Sequence, residues 1–181
     1  MSTGFKEWTL ICDALGRGEQ SVILRKGGIA EGRAGFRFQH EDFLLFPTLF
    51  HEQVTKLKLP AATPLPAARG DELIEVRYRI HVEWTRDVTD WPTVQRLAPF
   101  HLWQEAEIEK RFRQDDIPAV SLAFIRADRL SRPFLFPDAP AYGGCRSWVK
   151  LPDLPADITS MPAIDESAHR DRERQLLAVV G

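Results

Sequence analysis

Ser21-Val22-Ile23-Leu24-Arg25-Lys26-Gly27-Gly28, then Gly35-Phe36-Arg37-Phe38-Gln39-His40 and Phe43-Leu44-Leu45-Phe46-Pro47-Thr48, form the stretch whose reading decides the fold. From Gln20 to Arg25 the pattern is that of a strand, with Val22 and Leu24 facing one way and Ser21, Ile23 and Arg25 the other. Gly35 opens a second alternating run, in which Phe36, Phe38 and His40 share a face opposite Arg37 and Gln39. Phe43 to Phe46 is short and continuously apolar, which suits a buried strand ended by Pro47. Short connections between these runs predict local antiparallel pairing, a platform carrying a basic, glycine-rich loop.

Outward from this platform, Leu73 to Thr85 is the longest strand signal: Ile74, Val76, Tyr78, Ile80, Val82 and Trp84 alternate with Glu75, Arg77, Arg79, His81 and Glu83. Pro60, Pro64 and Pro66 mark a surface connection before it. Val94 to Arg113 has an amphipathic helical pattern interrupted or begun at Pro99. Ala119 to Arg126 and Leu130 to Phe136 read as a turn-joined pair of strands, and Tyr142-Gly143-Gly144 as a turn entering a short strand that ends at Leu151. Upstream, Trp8, Ile11, Cys12 and Leu15 fall on one helical face between Lys6 and Gly18, with a strand as the competing reading. The expectation is an α+β protein: a curved, mainly antiparallel sheet or partly open β-barrel with two packing helices. Residues 1–152 form one domain in this reading, and 153–181 a mobile, Pro-rich and charged tail in which a short terminal helix is allowed.

A length of 181 residues suits one core, and 44% apolar content with five Trp and eleven Phe is that of a globular chain. The formal net charge of -2 gives no global positive field, so nucleic-acid binding has to come from a local patch. Cys12 and Cys145 belong to no CxxC pair, which leaves disulfide and zinc frameworks unsupported. With no apolar leader-like region in Met1–Trp8 and no run of about 20 apolar residues, a soluble cytoplasmic protein without membrane contact is expected.

The local patch exists. Between Arg17 and His40 five basic residues face two acidic ones, interleaved with Phe36 and Phe38. Basic side chains beside aromatic rings are what phosphate contact and base stacking require. Arg25, Lys26, Arg33 and Arg37 are the candidate phosphate ligands, and Phe36 and Trp84 the candidate stacking rings. A second glycine turn, Gly143-Gly144, lies between Tyr142 and Arg146 and close to Trp148, so its convergence with Gly27-Gly28 would make one shared site. DNA or RNA is the expected partner, a modified or flipped base the expected target, and a protein partner the third class. His40, Asp42 and His51 are the candidate acid-base or metal-ligating group of the rival reading, a divergent metal-dependent nuclease or hydrolase. None of Lys6, Lys26, Lys56, Lys58, Lys110 or Lys150 has an acid two positions earlier, which argues against the restriction-nuclease strand motif. Phosphate-loop, HExxH, GxSxG and GxGxxG patterns are absent, so no metal and no cofactor is expected. Enzymatic activity is left open.

The segments Lys6-Glu7-Trp8, Leu24-Arg25-Lys26-Gly27-Gly28-Ile29, Phe43 to Thr48 with His51, and Tyr142-Gly143-Gly144-Cys145-Arg146-Ser147-Trp148-Val149 together resemble an uncharacterised prokaryotic family, domain of unknown function 1802. The resemblance runs over about residues 5 to 152 and implies an association with bacterial restriction-modification genes. A fainter likeness, to PUA-like barrels of the ASCH or EVE kind, rests on a helix, a glycine turn, a strand ending in Leu24-Arg25, and Gly70-Asp71 leading a long strand. It implies a fold, not a function.

Overall fold

The computed structural model describes residues 1–25, 37–49, 52–60, 63–64, 73–114 and 118–181. In chain order the elements are β1 (Ser2–Trp8), α1 (Thr9–Gly16), β2 (Val22–Arg25), β3 (Asp42–Thr48), α2 (Gln53–Lys56), β4 (Leu73–Val88), α3 (Trp91–Arg96), α4 (Glu105–Phe112), β5 (Val120–Pro137), β6 (Trp148–Leu151), β7 (Ser160–Pro162) and α5 (Glu166–Val180). Seven strands form one sheet in the order β2-β5-β4-β3-β1-β6, with β7 attached to β5. Every pairing is antiparallel except β1 with β3, whose register sets Phe5 beside Leu45. The α+β class and the curved, mainly antiparallel sheet are as expected.

The N-terminal segment resolves the helix-or-strand choice by being both. Ser2–Trp8 is extended, and the helical spacing takes effect only from Thr9, where Ile11, Cys12 and Leu15 turn into the core. The local platform does not form. β2 pairs with β5 and β3 with β1 and β4, so β5 and β4 stand between the two expected partners. Arg37 to His40 is irregular rather than a strand, and Gly35 and Phe36 lie outside the described residues. Pro47 does not end β3, which runs on to Thr48.

The expected pair Ala119–Arg126 and Leu130–Phe136 is one 18-residue strand, β5, lying along the whole of the 16-residue β4. No turn is needed, because register shifts between Val76 and Tyr78 and between Val82 and Trp84 absorb the irregularity and raise the local twist. The single helix expected over Val94–Arg113 is broken in two. Asp90 caps α3 by accepting from the Thr93 amide at 2.9 Å, and Pro99 stands in the short 3-10 turn that follows.

The sheet buries both faces. One carries the larger core, with α1 and Phe5, Leu15, Leu45, Ile80, Trp103 and Phe124; the other carries Phe46, Val76, Phe134, Phe136 and Leu151. The segment expected as a mobile tail is packed instead. Asp165 caps α5 through the Ala168 amide at 2.8 Å, and Leu176 is fully buried in the larger core. The terminal helix the charged segment allowed is therefore real but longer and docked, with Leu176 and His169 as its buried residues. No helix among the described residues is long and apolar enough to cross a membrane.

Candidate functional site

β1 alternates its side chains between the two cores, and this places the chemistry. Phe5 points into the helix-covered core, while Lys6 lies over the Phe46 ring on the opposite face. β2 and β1 are far apart in strand order, yet the Arg25 guanidinium at the end of β2 donates to the Lys6 carbonyl and lies 4.7 Å from the centre of the Phe5 ring. The sheet is curled enough for one side chain to span its opening.

Aromatic rings gather around that crossing. Phe5 lies 4.8 Å from Trp148, 5.1 Å from Phe43 and 6.0 Å from Phe38, and His40 meets Trp148 edge-on at 5.0 Å. Arg25, His40 and Trp148 are thus brought together through a residue the sequence did not nominate. Exposed Arg37 adjoins Phe38 in the same segment.

Beneath this group is a buried charge cluster. Glu7, 2% exposed, accepts from the Trp8 amide at 2.8 Å and faces Arg25 at 3.6 Å. Arg111 of α4 stacks on Trp103 at 3.5 Å and lies 5.9 Å from Trp8; burial, opposed by Glu7, pulls its pKa down to about 10. Arg25 Nε and Arg111 Nη1 are buried without a hydrogen-bond partner among the described residues. Two guanidiniums over one carboxylate leave positive potential under the aromatic rings. Sequence reasoning placed Glu7 and Arg111 only as parts of a motif and a helix face, because nothing in the local pattern announces a pairing between β1 and α4.

The second glycine turn is held from the other face. Lys6 Nζ donates to the Gly144 carbonyl at 3.0 Å, and its pKa is lowered by burial and by Arg146. Gly144 has φ +80°, which only glycine adopts without strain. Tyr142 packs on Phe46 at 5.5 Å, on that same face, so β1 separates the Gly143-Gly144 turn from Arg25. Lys26, Gly27, Gly28, Arg33, Phe36 and His51 lie outside the described residues.

Trp84 stands elsewhere. It stacks on Phe124 at 5.4 Å and donates to Glu173 of α5 at 2.9 Å. Asp42 is engaged by Arg79 at 3.1 Å and His81 at 3.4 Å. Among the described residues no group of three or more His, Cys, Asp and Glu is disposed to hold a metal ion.

The family model described as Domain of unknown function (DUF1802) matches residues 4–175, and the chain belongs to that family. Among solved structures, an ASCH protein from Zymomonas mobilis is similar, with 10% identity, a TM-score of 0.45, and coverage of 97% of this chain and 93% of that one. No curated protein matches.

Proposed function

We propose that this DUF1802 domain is a nucleic-acid-binding module that engages unpaired, flipped or modified bases at the opening of its curled sheet. The observation that carries the reading is Arg25 reaching across that opening to β1, with Phe5, Trp148 and His40 around it. Partly exposed Arg25 and Trp148 and exposed His40 offer a phosphate contact next to a stacking surface, with buried Phe5 as the support beneath them. The buried pair of guanidiniums over Glu7 supplies positive potential to a chain whose net charge is -2.

Fluorescence anisotropy with labelled single- and double-stranded DNA and RNA tests it. Affinity should fall steeply between about 50 and 200 mM salt. Arg37→Glu, on an exposed residue, and Arg25→Gln should both weaken binding, and His40→Ala should weaken single strands more than duplexes. Absence of binding to all four ligands at low salt overturns the reading, as does affinity indifferent to both arginine substitutions.

A further inference from the structure

A cavity of about 340 Å³ lies between α1 and the strands β3 and β4. It lies toward the Pro47 end of β3, and although its wall residue Leu45 pairs with Phe5, it shares no lining residue with the Arg25–Trp148 group. Small-molecule sites start at about 300 Å³. Leu45, Pro47, Ile74 and the Tyr78 ring supply apolar walls, and Asp13 supplies charge.

The polar groups are arranged to accept. Asp13 Oδ1 takes a hydrogen bond from the Tyr78 hydroxyl at 3.0 Å, and Oδ2 takes none from the described residues. Burial and the Asp13 charge push the Tyr78 pKa up to about 12, so the phenol keeps its proton and holds the carboxylate in place. The Thr9 hydroxyl donates its one proton to the Thr48 carbonyl at 3.1 Å, so as a lining group it can only accept. Arg77, the cation among the lining residues, is tied to Glu75 at 2.8 Å. A ligand here has to bring donors, and a carboxylate with Oδ2 open and a second lone pair remaining on Oδ1 can take two side by side.

We infer that this cavity binds a small planar ligand presenting two adjacent N–H donors to Asp13, the edge carried by guanine and by amidines. Apolar walls enclose the rest of the ring. The inference is independent of the oligonucleotide surface proposed above, since it concerns a different cavity and a monomeric ligand.

Isothermal titration of the full chain with guanosine, inosine, adenosine and benzamidine decides it. Guanosine, benzamidine or both should bind at one site per chain; guanosine alone marks a nucleobase site, benzamidine alone an amidinium site. Where guanosine binds, inosine, which lacks the second donor, should bind about tenfold more weakly or worse. Asp13→Asn should reduce affinity by at least about tenfold, because its amide turns an acceptor into a donor. Leu49→Trp, at a half-exposed lining residue, should block entry while leaving the acid untouched. No saturable binding of guanosine or benzamidine at millimolar concentration overturns the inference. So does binding that survives both substitutions.

Discussion

The Tyr78 ring stands where a side chain on Gly16 would be. Its Cε1 lies 2.0 Å from the position a Cβ there would occupy, and its hydroxyl reaches one turn back along α1 to Asp13 at 3.0 Å. Glycine at the end of α1 is therefore a packing requirement of β4. Gly16→Ala should destabilise the protein by about 1–3 kcal/mol despite the better helix propensity of alanine. Urea denaturation measures this, and the penalty should shrink when Tyr78 is replaced by Leu, a coupling that a double-mutant cycle reads directly.

The same tyrosine sets an alkaline limit. Its pKa in the folded protein is pushed up to about 12 from an ordinary value near 10, so between those values the unfolded chain loses a proton that the folded one retains. Stability from this source is fully present below about pH 10 and declines as pH rises toward about 12. Solvent screening of the half-buried group holds the loss to roughly 1–2 kcal/mol. Melting temperatures from pH 9 to 12 should fall less for Tyr78→Phe than for the parent.

His101 sets the acid limit. Burial, with Lys58 and Arg111 adding to it, lowers its pKa to about 3, and its Nδ1 accepts from the Trp103 amide at 3.1 Å. Below its ordinary pKa near 6.5 the unfolded chain takes up a proton that the folded one refuses, so stability falls from there toward about pH 3. The loss is on the order of several kcal/mol. Replacing His101 with Gln should flatten the profile over that interval, as read by chemical denaturation at pH 7 and pH 4.

Glu7 holds two guanidiniums in check. Glu7→Gln leaves Arg25 without its carboxylate and removes the charge that opposes the burial of Arg111, and it should cost about 3 kcal/mol, seen as a lower melting temperature. Adding Arg111→Met, which keeps contact with Trp103 but removes a charge, should restore part of it. A double variant no more stable than Glu7→Gln alone would falsify the pairing of Glu7 with Arg111.

The C-terminal helix offers a paired comparison. Leu176 is 0% exposed and its neighbour Leu177 is 40% exposed. Leu176→Ala should cost about 2–5 kcal/mol, and Leu177→Ala should remain within about 0.5 kcal/mol. Equal effects in thermal unfolding would mean that α5 does not contribute to the core.

Much of the candidate interface was legible because it is chemically conspicuous. Arg25, Arg37 and Trp148 are the residue types that contact phosphate or stack, and they flank glycine or strand ends, whereas His40 reads from the sequence as an acid-base or metal-ligating candidate. Phe5 and Glu7 were not, since a buried ring and a buried acid in a strand look like any core alternation until their neighbours are known. Asp13 and Tyr78 were legible only as members of a helix and a strand. Their hydrogen bond joins residues 65 apart, beyond the reach of any local pattern.

Local periodicity by itself determined the element type of Leu73 to Thr85, because side-chain spacing of two is a property of a few neighbouring residues, while it left helix and strand both open for the segment that becomes β1 and α1. Composition determined that one large core was available. Tertiary structure alone decided which strands meet, and it overruled the local choice. β2 and β3 are close in sequence, but β5 and β4, once paired along their full length, stand between them. Strand order follows from which long strands bury the most surface together, a sum over residues distant in the chain, and the sheet's curl then delivers Arg25 to β1.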